Sequence, residues 1–204
     1  GLCLVGSEMC IRDRILTTTF QYPFYKDEIL PVGNLRENIS SAKRADLIVV
    51  TKCPDNLSQK DKISFLESLN PNDNQKVFFS SLTYMQKIKS DSEEVDIDVL
   101  EDVDFILVTG IADSSYLVNF LKNKALTFKH LKYSDHYNFN KSSIDKITGL
   151  SLNKIILTTE KDFGRLRPKI NNRDIYYIEV GLKFPKEINE YNFDKNIEDY
   201  IFND

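Results

Sequence analysis

Four short polar clusters in this chain carry residue types suited to proton or phosphate chemistry. Ser134-Asp135-His136 sets a carboxylate beside an imidazole. The carboxylate can orient the ring and raise its pKa, which suits a general base or a phosphate contact; a turn histidine of purely structural role is the alternative. Thr158-Thr159-Glu160-Lys161-Asp162 has the composition of a helix start. Thr159 can cap, Glu160 and Asp162 favour the positive helix end, and Lys161 places a cation near any bound phosphate. Capping alone accounts for every residue there except Lys161. In Thr109-Gly110-Ile111-Ala112 the glycine either lets backbone amides approach a phosphate at a helix N-terminus or makes a plain tight turn. The Pro/Gly-punctuated stretch LPVGNLRE leads to Arg36, whose guanidinium can fork a phosphate or pair with Glu37. The other histidine, His130, stands mid-strand between Lys129 and Leu131 and reads as a surface or packing residue.

These clusters follow or precede elements that the pattern of apolar residues defines. Strands are predicted at 14–19, 46–51, 76–81, 105–109, 127–133, 154–158 and 175–180, where near-continuous Ile, Val, Leu and Phe point to burial on both faces. Helices are predicted between them. Ser58 and Asp61 resemble a capping box opening a helix that ends near Asn70-Pro71. Ser114 or Ser115 caps a helix over 116–124, Gly149 stops one over 141–148, and a last helix covers 192–202. The alternation predicts an α/β fold, a mostly parallel sheet with helices on both faces and right-handed crossovers. Ligands in such sheets bind beyond the carboxyl ends of the strands, so His136, Arg36 and residues 159–162 are expected at one sheet edge. The acidic stretch 91–104 reads as a solvated connection; it lacks the spacing and glycine of a calcium loop, and no metal site is predicted. Tyr22-Pro-Phe-Tyr25 reads as core or lid packing, with acyl-chain or membrane contact as the alternative.

The chain has 204 residues, 41% hydrophobic and 28% charged, a balance that affords a real core and excludes wholesale disorder. A net charge of −4 argues against nucleic acid held on a broad basic surface. Its apolar runs are strand-sized, far short of the ~18 residues of a membrane span. The opening is foreign to this pattern. Residues 4–14, LVGSEMCIRDR, resemble an in-frame translation of a transposon-based sequencing adapter, so 1–14 are expected to be an artefact and to pack poorly. The domain is then 15–204, truncated at its N-terminus, with Cys53 as its one cysteine, which suits a reducing compartment. No glycine precedes a lysine anywhere, so the chain holds no P-loop of the GxxxxGK(S/T) kind.

Taken in order, LPVGNLRE, KRADLIVVTK (43–52), LVTGIA (107–112), SDHYNF (134–139) and ILTTEKD (156–162) resemble the carboxyl-terminal part of the tetraacyldisaccharide 4′-kinases, the lipid A kinases of Gram-negative bacteria. The resemblance implies a P-loop-kinase-like three-layer architecture and transfer of the γ-phosphate of ATP, with Mg²⁺, to the 4′-hydroxyl of a lipid A disaccharide precursor. It implies peripheral contact with the cytoplasmic face of the inner membrane and leaves the oligomeric state open. By the same resemblance His136, with Asp135, is catalytic and Arg36 and Glu37 bind substrate. Thr158, Thr159, Lys161, Asp162 and Gly110 form a nucleotide or structural site. The family's P-loop and catalytic aspartate fall upstream of the region present, so the fragment alone is expected to be inactive. From the residues alone, an α/β phosphoesterase using Asp135 and His136 with a metal, or a non-catalytic anion-binding module, stands as the alternative.

Overall fold

A computed structural model describes residues 14–170, 174–185 and 193–202 of the chain, which divides into two units, 1–82 with 182–204, and 83–181. Most of the adapter-like leader, and the poor packing expected of it, lie outside the described residues, as does Asn192. Arg14, assigned to that leader, is tied in: its amide donates to Asp46 Oδ2 at 2.7 Å and its carbonyl accepts from the amides of Asp46 and Leu47.

In the first unit, β1 (Ile15–Thr19), β2 (Leu47–Thr51) and β3 (Lys76–Phe79) form a parallel sheet in that order. Successive side chains of a strand point to opposite faces, and both faces here are covered, so the apolar run of β2 is continuous. Ile48 and Val50 join Leu16, Phe79 and, from α1 (Gln59–Leu69), Phe65 and Leu69 in one cluster. Phe78, on the other face, meets Phe193 of the C-terminal helix (Phe193–Phe202) edge-on, centroids 5.3 Å apart. Helix α1 starts and stops as its sequence predicts. Ser58 Oγ accepts from the Asp61 amide, and Asn70, at φ 48°, closes the last turn by donating to the Leu66 carbonyl.

The second unit is built on a six-stranded sheet with the order β5-β4-β9-β8-β6-β7. Its strands are β4 (Ser81–Lys89), β5 (Glu94–Asp96), β6 (Phe105–Thr109), β7 (Phe128–Lys132), β8 (Ile156–Thr159) and β9 (Ile175–Lys183). Pairings from β7 through β6 and β8 to β9 are parallel; β4 and β5 form an antiparallel hairpin. Strand β6 shows why its run is unbroken. Phe105 and Leu107 pack with Leu117 and Leu121 of α2 (Ser115–Asn123). Ile106 and Val108 pack on the other face with Ile147 of α3 (Lys141–Leu150) and Leu166 of α4 (Glu160–Leu166). Helix, sheet and helix make three layers.

All seven predicted strands form, but they divide between two sheets. Between β3 and β4 stands only Ser80, with no crossover helix to return the chain parallel to the first sheet. The acidic stretch is not merely solvated. Val95 is half-buried, and Ile97 and Leu100, in a 3₁₀ turn (Ile97–Leu100), are fully buried, while Glu94 pairs with Lys87 and Asp98 with Lys124 at the surface. The density of acids masks an in–out alternation. Gly149 does not stop α3, which runs on to Leu150 with Ser151 as its cap. Ser114 precedes α2 without a side-chain capping bond, and Asp113 Oδ1 accepts from the Ser115 amide instead, at 2.9 Å.

Because Leu107 is fully buried where sheet and α2 meet, Leu107→Ala is expected to cost about 2–5 kcal/mol of unfolding free energy in urea titration. Val32→Ala, at a position 78% exposed, should fall within about 0.5 kcal/mol of the parent.

Candidate functional site

Three adjacent parallel strands, β7, β6 and β8, deliver three of the four predicted clusters at their carboxyl ends. β6 runs into Thr109-Gly110, β7 into the segment carrying Asp135 and His136, and β8 into the first turn of α4. That is the ligand-binding edge of a parallel sheet.

The start of α4 is the anchor. Thr159 Oγ1 accepts from the Asp162 amide at 3.2 Å and donates to Asp162 Oδ2 at 2.9 Å. Asp162 is fully buried, and the same Oδ2 accepts from the Gly110 amide at 2.7 Å. Its Oδ1 makes no hydrogen bond among the described residues and lies 3.6 Å from Arg165 Nη1. Beside it, the buried Thr158 hydroxyl donates to the Val108 carbonyl at 2.8 Å, locking β8 to β6. Gly110 fits closely: a Cβ there would stand 3.1 Å from Asp162 Oδ1, a tight contact, and 3.5 Å from the Phe139 ring.

The Gly110 carbonyl accepts from the His136 amide at 3.1 Å, and that amide also reaches Asp135 Oδ1 at 3.0 Å. His136 sits at φ 56°, a left-handed conformation uncommon for a residue with a side chain. Its Nδ1 is 2.9 Å from Asp135 Oδ2, and Lys161 Nζ approaches Asp135 Oδ1 at 3.4 Å. Imidazole and carboxylate are both solvent-accessible, 65% and 40% exposed. Tyr133, Tyr137 and Phe139 stack about one another with centroids 4.7–5.3 Å apart and root the segment; Phe139 is buried. Partial desolvation pushes the Asp135 carboxyl up, but the hydrogen bonds and charges of His136 and Lys161 outweigh it, and the net pKa lies below the ordinary carboxylate value. His130 is a packing residue: its Nε2 shares a 2.8 Å hydrogen bond with the buried Thr109 hydroxyl, and burial, then Lys132, pushes its pKa down.

Two geometric facts bear on the phosphate reading of Gly110. Its amide is committed to Asp162, and the next helix start is covered by the Asp113 carboxylate on the Ser115 amide. A metal-dependent phosphoesterase would draw on these same carboxylates; among the described residues no three His, Cys, Asp or Glu stand close enough to hold a metal ion.

Arg36 and Glu37 belong to the first unit and follow β1, not the six-stranded sheet, so no single sheet edge gathers them with His136. Their loop turns on Asp27, whose Oδ1 accepts from the amides of Glu28 and Asn34 and whose Oδ2 accepts from Asn34 Nδ2. These bonds, the Asn34 side chain's first, hold its pKa down. Leu35 plugs into the core, Glu37 pairs with Arg44 rather than Arg36, and Arg36 is exposed with no ion pair among the described residues. Thr17, Thr18, Thr19 and Thr51, at the carboxyl ends of β1 and β2, line a cavity of about 350 Å³ with Tyr22, Asp27 and Asn34. Sequence reasoning passed over this cavity, although three consecutive threonines ending a predicted strand are its signal. Phe24 is core and Tyr22, 83% exposed, is cavity wall.

Removing the cation beside Asp135 should raise its pKa. Lys161→Met is expected to move the Asp135 carboxyl titration, followed by ¹³C NMR, back toward the ordinary ~3.9. The parent's lowered folded pKa favours folding above the unfolded value and loses that contribution as pH falls through the folded one; the variant loses it at higher pH. An unchanged titration would show that Lys161 does not act on Asp135.

The profile of the family described as tetraacyldisaccharide-1-P 4′-kinase (LpxK) matches residues 13–198. The tetraacyldisaccharide 4′-kinase of Flavobacterium psychrophilum is 37% identical over 189 residues, 92% of this chain and 54% of that protein. That of Flavobacterium johnsoniae is 32% identical over 187 residues, with the same shares, 92% and 54%. That of Bacteroides thetaiotaomicron is 32% identical over 167 residues, 74% of this chain and 44% of that protein. The chain thus spans about half the length of the curated relatives it matches. Its fold is that of a crystal structure described as the "apo" form of LpxK from Aquifex aeolicus in complex with ATP, at a TM-score of 0.62 and 23% identity over 93% of this chain and 51% of that one. With a profile that spans nearly the whole chain, relatives above 30% identical over 92% of it and a shared fold, the chain belongs to the tetraacyldisaccharide-1-P 4′-kinase family.

Proposed function

We propose that this chain takes part in phosphorylating the 4′-hydroxyl of a tetraacylated disaccharide 1-phosphate, the lipid A precursor, with His136 as the proton acceptor. The observation that carries the reading is the Asp135–His136 contact at the carboxyl ends of three parallel strands. A neutral histidine that donates Nδ1–H to Asp135 presents the lone pair of Nε2 outward. Nε2 would take the proton of the acceptor hydroxyl, and Asp135 would stabilise the imidazolium so formed. Lys161, after His136, helps hold the Asp135 pKa below its ordinary value. Arg36, exposed and without an ion pair among the described residues, is assigned to the anionic substrate, and Glu37, fixed by Arg44, to its hydroxyls. A non-catalytic anion-binding module would use Arg36 and Lys161 but leave the imidazole–carboxylate contact without a role.

ATP with Mg²⁺ supplies, when bound, the transferable phosphoryl group and the neutralisation of its charge. The residues described do not form its cradle: the chain has no P-loop, the Gly110 amide is taken, and no three ligands gather. That cradle is assigned to sequence outside these residues. The lipid acceptor also implies work at a membrane surface, at the cytoplasmic face of the inner membrane. Ile29, Leu30 and Val32, exposed on the loop that leads to Arg36, supply apolar contact there, while no helix among the described residues is long and apolar enough to cross a membrane.

Two measurements test this. The purified chain alone should show no ATP-dependent 4′-phosphorylation of tetraacyldisaccharide 1-phosphate, whereas joining it to the part of the Flavobacterium psychrophilum relative that it does not match should restore turnover. In that fusion His136→Ala is expected to lower kcat about 10²–10⁴-fold with little change in KM. Turnover by the chain alone, or a His136→Ala effect confined to KM, would overturn the assignment. For the membrane, Leu30→Ser with Val32→Ser should reduce co-sedimentation with phospholipid vesicles; binding equal to the parent's would remove this loop from the interface.

A further inference from the structure

The block 158–162 carries a role that neither capping nor nucleotide binding describes. Asp162 stands at the third position of α4, where a capping-box acid turns back on its own helix. Here its carboxylate instead reaches the neighbouring strand's exit, where Oδ2 takes the Gly110 amide as well as the Thr159 hydroxyl. Gly110 passes the constraint on. One side of that residue donates to Asp162, and its carbonyl accepts from the His136 amide. The next residue of the block, Lys161, holds the same turn from the solvent side through Asp135. The turn needs such holding, because a left-handed non-glycine residue persists only where its surroundings over-determine it. A capping role alone explains neither the bond to Gly110 nor the complete burial of the carboxylate.

We propose that Asp162 is a positioning residue for His136: it sets the Gly110 peptide, which sets the left-handed His136 turn, while Lys161 fixes that turn from outside through Asp135. The placement stands on the hydrogen bonds alone, and only its consequence for phosphoryl transfer rests on the kinase reading. The test therefore reads no activity, and its failure is separable from failure of that reading.

The chain itself, with two histidines, is suited to NMR. Amide hydrogen exchange is compared at Gly110 and His136, with Leu107 and Leu157 of the same sheet as internal references. Long-range ¹H–¹⁵N spectra, assigned with His130→Gln, report the His136 tautomer. In the parent the proton is expected on Nδ1, facing Asp135. In Asp162→Asn, exchange at both Gly110 and His136 should rise about ten- to a hundredfold, the loss of one buried charge-assisted hydrogen bond, with the references unchanged and the Nδ1–H preference weakened. Thr159→Val, which removes the other donor to Oδ2, should act in the same direction, and Thr159→Ser should restore the parent's values; this pair carries the test if Asp162→Asn does not fold. A rise at Gly110 with His136 unmoved would break the relay. An equal rise at all four amides would reduce Asp162 to a stabiliser of the fold, and either result overturns the proposal.

Discussion

A carboxylate taken wholly out of water must be met by donors, and in the second unit the donors that meet Asp162 come from two different strand exits. One is the Thr159 hydroxyl at the end of β8; the other is the Gly110 amide at the end of β6. Breaking either contact removes a hydrogen-bond donor from a buried carboxylate whose other polar neighbour, the Arg165 guanidinium, stands 3.6 Å from Oδ1. Much else is set by this single group. A Cβ on residue 110 would crowd Oδ1, at 3.1 Å, and press it to shift. Residue 159 has to carry a hydroxyl, because it serves at once as helix cap and carboxylate donor. The 133–139 segment has to pass close enough for its amide to find the Gly110 carbonyl.

The two units solve a similar problem with opposite solvation. In the first, the loop that carries Arg36 is also organised by one aspartate, Asp27, which collects two amides and the Asn34 side chain. Asp27 lies at the surface, so its bonds compete with water and its lowered pKa reflects donors rather than enclosure. Asp162 has no such competition. The loop that carries Arg36 is thus held by bonds that exchange with water, and the exit of β6 by a carboxylate that does not.

The elements were legible because their signals are local. Ser58 with Asp61, Asn70 before Pro71, and the doubly buried runs at 47–50 and 105–108 need only near neighbours or one hydrophobic layer on each side to be interpreted. The division into two sheets was not legible, because it depends on what fails to occur between β3 and β4, namely a crossover helix. The β4–β5 hairpin was hidden by acids that face water while Val95 and Ile97 face inward. At the site, the residue types were visible and their partners were not. Asp135 beside His136 is a sequence neighbour; Asp162 on Gly110, 52 residues apart, is a fact of strand order. Arg36 with Glu37 looked like a pair, yet Glu37 pairs with Arg44, seven residues on.

The ambiguity of the 158–162 block in sequence has a physical origin. Capping accounts for every residue there except Lys161, but one carboxylate has two oxygens and several lone pairs, and a helix start on a parallel sheet faces the neighbouring strand's exit. The cap is therefore the means of positioning. Once Thr159 fixes the first turn of α4, consecutive residues diverge by about 100° around the helix. Asp162 turns inward to the backbone of the β6 exit, and Lys161 turns outward to the side chain beside His136. Inner and outer contacts thus reach one turn from one helix start, Asp162 through the Gly110 backbone and Lys161 through Asp135.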